Sequence, residues 1–225
     1  MKKVAIIVAG GTGIRMKSDL HKKFHLIQGR PVIWHSIKAF ADAYPEIRII
    51  VVLPGQYLDK APSLGMDFYE HVIQVVEGGS SRFESVKNGL KEVDDDSLVF
   101  VHDAVRCLVT PALIRHCGEA AEKLGNAIPC VEASDSMRVI IGTKNEILSR
   151  EYVRLIQTPQ VFRSATLKKA FDQPYQQGFT DEANVVESTG ETIHLVAGET
   201  ENIKITSPVD MALAQYLMMK RLEKA

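Results

Sequence analysis

Cysteine is scarce in this chain, and the three present, Cys107, Cys117 and Cys130, are odd in number and lack metal-ligand spacing. A disulfide framework and a cysteine-based zinc site are therefore excluded. Cys107 has no base partner that would make it a nucleophile, so it is expected to pack. An excess of one charge sign is also missing: the formal net charge is -1 at pH 7, so any positive charge for binding an anion has to be local, and nothing favours nucleic acid. No apolar stretch approaches the roughly 18–20 residues that a bilayer span needs. The opening Met1-Lys2-Lys3-Val4-Ala5 has a signal-like charge, but Gly10, Gly11 and Gly13 end the apolar run too early for a signal peptide. A cytoplasmic protein with no membrane partner is the expectation. What is present, 45% hydrophobic and 24% charged residues over 225 positions, is an ordinary globular balance and is read as one domain over 1–225.

Strand-like runs at Lys3–Val8, Arg48–Leu53, Val72–Val76, Leu98–Val101 and Ala127–Val131 alternate with helical patterns at Val32–Ala43, Glu84–Glu92 and Pro111–Leu124. That rhythm predicts an α/β fold, doubly wound, with a mainly parallel sheet. It changes over Ser134–Gln157, where Met137–Ile141 and Glu146–Ser149 flank Gly142-Thr143-Lys144-Asn145 and read as a β-hairpin. An isolated hairpin is marginal in water, so this arm, about 134–157, must pack on something. A helix is expected from about Pro208 to Leu222, packing on the core. The acidic run Asp94-Asp95-Asp96 is read as a solvated loop.

The first strand breaks into Ala9-Gly10-Gly11-Thr12-Gly13, followed by Arg15, Lys22 and Lys23. Missing side chains let backbone N–H groups approach an anion, and the cations then follow where a polyphosphate needs neutralising. A dinucleotide fingerprint anchored at Gly11 and Gly13 requires glycine at position 16, where Met16 stands. A Walker A loop fails too, because neither Gly10 nor Gly11 is followed by the Gly-Lys-Ser/Thr ending. The bland alternative is a tight turn with no ligand.

Other candidate residues sit at strand ends. His102-Asp103 closes the run Leu98–Val101, where open α/β sheets place ligands, and Asp103 suits Mg²⁺; the alternative makes it a helix N-cap or the ion-pair partner of Arg106. Gly78-Gly79-Ser80-Ser81 is a second small-residue turn before a helix. Ser85, in that helix's first turns, could bind a base or ribose or could simply cap. Lys204, in Asn202-Ile203-Lys204-Ile205, reads as an alternating strand residue facing water or a cleft.

These segments together resemble a known family. Ala9-Gly10-Gly11-Thr12-Gly13-Ile14-Arg15-Met16, Gly78 to Val86, Val101-His102-Asp103-Ala104-Val105-Arg106, Gln157 to Phe162, Thr180-Asp181-Glu182-Ala183 and Asn202-Ile203-Lys204-Ile205-Thr206 are similar to blocks of the 2-C-methyl-D-erythritol 4-phosphate cytidylyltransferases. The blocks keep the family's order from the first strand to the last helix. The resemblance implies transfer of a cytidylyl group from CTP to a polyol phosphate with release of pyrophosphate, aided by Mg²⁺ on Asp103. It implies that Ala9, Gly10, Gly11 and Gly13 cradle the nucleotide, that Gly79, Ser80 and Ser85 contact its base and ribose, and that Ala104 also lies at the nucleotide. Arg15 and Lys22 would stabilise phosphate charge, while Arg106, Lys204 and Arg150 would grip the acceptor phosphate. The resemblance further implies a homodimer in which the arm embraces a second subunit and Arg150 acts in trans, with Ser136 and Arg138 on the arm's other strand. The family's usual proline-lysine-glutamine-aromatic stretch stands here as His21-Lys22-Lys23-Phe24, with Lys22 taken by register. A ribitol-5-phosphate cytidylyltransferase shares most of the blocks, and a non-catalytic nucleotide-binding protein of this fold is the alternative outside enzymes.

Overall fold

The computed structural model describes residues 1–9, 24–61 and 73–223. In chain order the described strands and α-helices begin with β1 (Lys2–Val8), the short β2 (Leu26–Ile27) and β3 (Arg30–Pro31), α1 (Val32–Ala43), β4 (Arg48–Leu53), β5 (Ile73–Glu77), α2 (Arg82–Leu90), β6 (Ser97–Asp103), α3 (Pro111–Leu124) and β7 (Asn126–Glu132). They continue with β8 (Met137–Ile141), β9 (Lys144–Leu148), β10 (Arg154–Ile156), β11 (Gln160–Arg163), α4 (Ser164–Phe171), α5 (Glu182–Glu187), β12 (Leu195–Ala197) and α6 (Pro208–Leu222). The predicted alternation is observed, with α1, β4, α3 and α6 at their expected bounds. Where α2 differs, the cause is local: the Ser81 side chain accepts the Glu84 N–H and starts the helix at Arg82 rather than Glu84.

The main sheet has the order β10-β7-β11-β6-β1-β4-β5, with β12 on β7. Strands β6, β1, β4 and β5 are parallel, and β11 runs antiparallel between β6 and β7. The β1 sequence Val4-Ala5-Ile6-Ile7-Val8 is apolar throughout because helices cover both faces. Ala5 and Ile7 join α1 and α3 in one buried cluster, whereas Val4, Ile6 and Val8 join α2, α4 and α5 in the other. From β1 the chain moves outward to β4 and β5 and then returns to β6 on the other side of β1, which puts the switch in strand order between the Val8 and Asp103 ends. That is where such sheets open a crevice for ligands.

Four expectations change. The hairpin β8–β9 turns on Gly142-Thr143 alone, because Gly142 adopts φ +60° and Lys144 already pairs with Ile141. The arm ends before β10, since Arg154, Leu155 and Ile156 pair antiparallel with β7 and belong to the main sheet. The segment 202–206 carrying Lys204 is not a strand; Ile205 N–H donates to Val105 O instead of joining a ladder. Helix α6 buries only Ala214 fully and leaves Val209, Leu213, Tyr216 and Met219 on an exposed face, so it contributes to a small side cluster with Ile27, Val32 and Leu108 rather than to the main core. No helix among the described residues is long and apolar enough to cross a membrane.

Candidate active site

Asp103 ends β6, in register with Val8 at the end of β1. Its backbone N–H donates to Thr158 Oγ1 at 3.1 Å, and that hydroxyl lies 3.0 Å from His102 Nδ1. His102 is wholly buried, with Nε2 3.3 Å from Arg106 O, and burial pushes its pKa down to about 3. A neutral ring accepting from Thr158 and donating to Arg106 O accounts for both contacts.

Three cations surround the Asp103 carboxylate. Arg82 Nε donates to Oδ1 at 3.1 Å, Lys204 Nζ lies 2.7 Å from Oδ2, and Arg106 Nε lies 4.0 Å from Oδ2. Burial alone would raise the pKa of this acid, but the Arg82, Lys204 and Arg106 charges outweigh it and hold the group far below the usual carboxylate range. Arg82 also forks onto Glu182, with Nη1 on Oε1 and Nη2 on Oε2 at 3.0 Å. Glu182 is enclosed at the start of α5, where burial raises its pKa and the Arg82 contact opposes that rise.

Each predicted site residue can now be placed. Gly10, Gly11, Gly13, Arg15 and Lys22 lie outside the described residues. Gly79 and Ser80 form the exposed mouth of the turn between β5 and α2, and a Cβ on Gly79 would run into the Glu84 side chain and lie 3.1 Å from the Glu84 carbonyl carbon. That crowding explains the glycine. Lys204 reaches the Asp103 cluster, as a lysine facing a cleft should.

Other residues depart from their expected parts. Ser85 is buried, and its hydroxyl donates to Ser81 O at 2.8 Å and accepts the Gly79 N–H at 3.2 Å, so it braces the turn and offers no surface to a base. Ala104 is wholly buried with its N–H on Val8 O and its carbonyl accepting from Ser36, which makes it a bolt between β6 and β1. The Ala9 N–H donates to Val52 O, extending β1 toward β4 and leaving no donor there for a phosphate. Arg106 is mostly enclosed, with Nη1 on Asn202 O at 2.8 Å and Nη2 on Ile156 O at 3.2 Å; it braces the segment that carries Lys204 rather than reaching outward.

The arm stands apart. Ser136 and Arg138 are exposed, Arg138 bonds to Asn145 across the hairpin, and Arg150 donates to Ser134 O at 2.7 Å. Among the described residues no hydrogen bond or ion pair joins these three to the Asp103 cluster. Cys107 packs beside Val105 and Ile205, and burial pushes its thiol up to about 12, which leaves it inert as expected.

Sequence reasoning gave no role to Thr158, Asn202, Arg82 or Glu182. Asn202 Nδ2 donates to Thr158 O at 2.9 Å, and Gln157 Nε2 donates to Glu199 O at 2.8 Å, so the segments before β11 and after β12 are stitched together beneath Lys204. The available signal was that all four stand inside the blocks that carry the family resemblance.

No group of three or more metal-ligating side chains occurs among the described residues. A magnesium ion held by one carboxylate, waters and phosphate oxygens needs no such cluster. Asp103 fits that role in charge and place, with Lys204 as the cation competing for its Oδ2.

A doubly wound sheet with a basic, carboxylate-anchored site at its switch point is the arrangement of an α/β nucleotidyltransferase. A sequence profile of the family described as IspD, 2-C-methyl-D-erythritol 4-phosphate cytidylyltransferase, matches residues 3–220. The chain belongs to this family. It is 43% identical to the 2-C-methyl-D-erythritol 4-phosphate cytidylyltransferase of Bacteroides thetaiotaomicron, over 97% of this chain and 100% of that one. The 4-diphosphocytidyl-2C-methyl-D-erythritol synthase structure from Anaerococcus prevotii superposes with a TM-score of 0.83 at 28% identity, covering 97% of this chain and 96% of the other. The bifunctional IspDF structure from Campylobacter jejuni gives 0.80 at 28% identity; the match covers 94% of this chain but only 54% of that longer one.

Proposed function

We propose that this chain transfers the cytidylyl group of CTP to 2-C-methyl-D-erythritol 4-phosphate, giving 4-diphosphocytidyl-2-C-methyl-D-erythritol and pyrophosphate. The single observation that carries the reading beyond family likeness is the crowd of cations at Asp103, beside a glycine turn and at the sheet's switch point. The acceptor phosphate is already an anion near neutral pH, so the reaction needs no general base. Catalysis then rests on aligning two anions and stabilising the crowded α-phosphate.

Lys204, half exposed on the segment between β12 and α6, would take the acceptor phosphate, with Arg106 holding that segment in place. Gly79 and Ser80 would line the nucleotide's base through the turn that Ser85 braces, and Arg15 and Lys22 would neutralise the triphosphate. Magnesium, held by Asp103, would supply charge neutralisation at the phosphates.

We infer a homodimer as well. The hairpin leaves Ile140 at 70% and Ile147 at 79% exposed, and Tyr152, in the turn that follows the hairpin, is 86% exposed, apolar surface that suits a second copy of the chain. Arg150 then acts across the interface.

The test is pyrophosphate release with CTP and Mg²⁺, with 2-C-methyl-D-erythritol 4-phosphate and ribitol 5-phosphate as rival acceptors. Faster turnover of the first supports the reading. Preference for ribitol 5-phosphate moves the chain to that activity, and CTP binding with no pyrophosphate from either acceptor removes catalysis altogether.

A further inference from the structure

Neither Arg82 nor Glu182 is assigned to a substrate group above, yet they join two blocks that are far apart in sequence. Arg82 opens α2 directly after the Gly79–Ser81 turn, and Glu182 opens α5. Glu182 is 1% exposed and takes two of the guanidinium's donors, Nη1 and Nη2. The third, Nε, points to Asp103 Oδ1.

Glu182 is itself fixed. Its helix is capped by the Asp181 side chain, Ala183 N–H donates to Gln160 Oε1 at 2.8 Å, and Gln160 Nε2 donates to Asp181 Oδ2 at 3.0 Å. Because Gln160 begins β11, the start of α5 is tied to the strand beside β6. A planar guanidinium pinned at both Nη atoms cannot swing, so its Nε presents a fixed point.

Asp103 needs such a point, because the last torsion of an aspartate is broad and does not set the carboxylate plane by itself. Lys204 is the close contact on Oδ2, but it is half exposed on a flexible stem and is committed to a phosphate in the reaction proposed above. Arg106 at 4.0 Å is too far for a hydrogen bond. When Lys204 turns to substrate, Arg82 is the contact that still holds Asp103.

We propose that Arg82, locked by Glu182, is a positioning residue that fixes the orientation of the Asp103 carboxylate for cytidylyl transfer. This rests on the function proposed above. The same contact ties the nucleotide-side turn to the phosphate side of the site, because Arg82 is the first residue after that turn.

A double-mutant cycle tests it, using single-turnover rates of product formation with enzyme in excess so that slow variants remain measurable. The four proteins are the unaltered chain, Glu182→Gln, Asp103→Asn and the double variant. Residues acting through one another are coupled, so Glu182→Gln is expected to slow turnover about tenfold or more with Asp103 present, and less than about threefold in the Asp103→Asn background. CTP affinity should stay within about threefold, and Arg82→Lys, which cannot fork onto Glu182, should reproduce the loss. Equal fold-losses in both backgrounds overturn the proposal, since a merely structural pair would weaken both alike. Unchanged turnover in Glu182→Gln overturns it too. If circular dichroism shows Glu182→Gln unfolded, Arg82→Lys carries the cycle; if neither folds, the pair serves the fold and the proposal is wrong. An unaltered chain that turns over neither acceptor would instead sink the function, and this proposal with it.

Discussion

The Lys204 ammonium sits 2.7 Å from Asp103 Oδ2, and of the two side chains the carboxylate is the enclosed one and the lysine the open one. The anion is therefore fixed in the frame of the sheet, while its partner is free to leave it for a phosphate. In the function proposed above, Lys204 would move between Asp103 and the acceptor phosphate.

Lys204→Ala should accordingly cut kcat/KM for the polyol phosphate by about 10²–10³-fold, the usual loss when a charge-stabilising group is removed. CTP affinity, read from the ligand-induced rise in Tm, should change far less. Normal acceptor kinetics in this variant would take Lys204 out of the site.

Gly79→Ala places a methyl group against Glu84, including backbone that cannot yield without moving the start of α2. A loss of about 1–3 kcal/mol in folding stability is expected, typical of overpacking. CTP affinity should fall with it, because the same turn is proposed to face the nucleotide. Urea denaturation and a CTP titration measure the two effects, and a variant as stable as the parent would mean that the turn relaxes freely.

Stability should decline on mild acidification. The His102 pKa is pushed down to about 3, and burial lowers that of His35 as well. Below the unfolded value of about 6.5 the unfolded chain takes up these protons while the native chain refuses them, so His102 costs up to about 1.4 kcal/mol per pH unit between roughly pH 6.5 and 3. Asp103 adds no slope above about pH 4.5, because its folded pKa is depressed and its contribution persists until pH falls through the range of unfolded carboxylates, near 4, where it adds its own loss. The Tm of His102→Asn should fall less steeply from pH 6.5 to 4.5 than that of the parent; parallel curves would mean that His102 is not the group responsible.

Arg150→Ala should impair use of the polyol phosphate and leave CTP binding nearly intact. Mixed under subunit exchange with Asp103→Ala, it should regain activity, because one site of each heterodimer would receive both intact residues. A mixture that stays inactive although heterodimers form, or a chain that sediments as a monomer at working concentration, would show that Arg150 does not act in trans.

The alternating pattern of β1, α1, β4, α3 and β6 was legible because each element announces itself locally, by apolar runs for doubly covered strands and by Thr110-Pro111 opening α3 with a side-chain cap. Asp103 was legible for the same reason, as a carboxylate at the end of a buried strand. The Arg82–Glu182 contact was not, since strand order brings the two together and spacing says nothing of strand order. Ser85 and Ala104 were given nucleotide contacts by the family resemblance, and only packing shows their polar groups turned inward. The α6 sequence is apolar enough to read as core, yet one side of it has no described element against it.

The hairpin of β8 and β9 takes no part in any of the three buried clusters. Folding and reach are thus separate properties of this chain. In the sheet a lost methyl group is felt by every neighbour, whereas side chains along the hairpin can be exchanged with little consequence for whether the rest of the chain folds. If the hairpin grips a second subunit as proposed, that contact and not the fold is what would restrain its sequence.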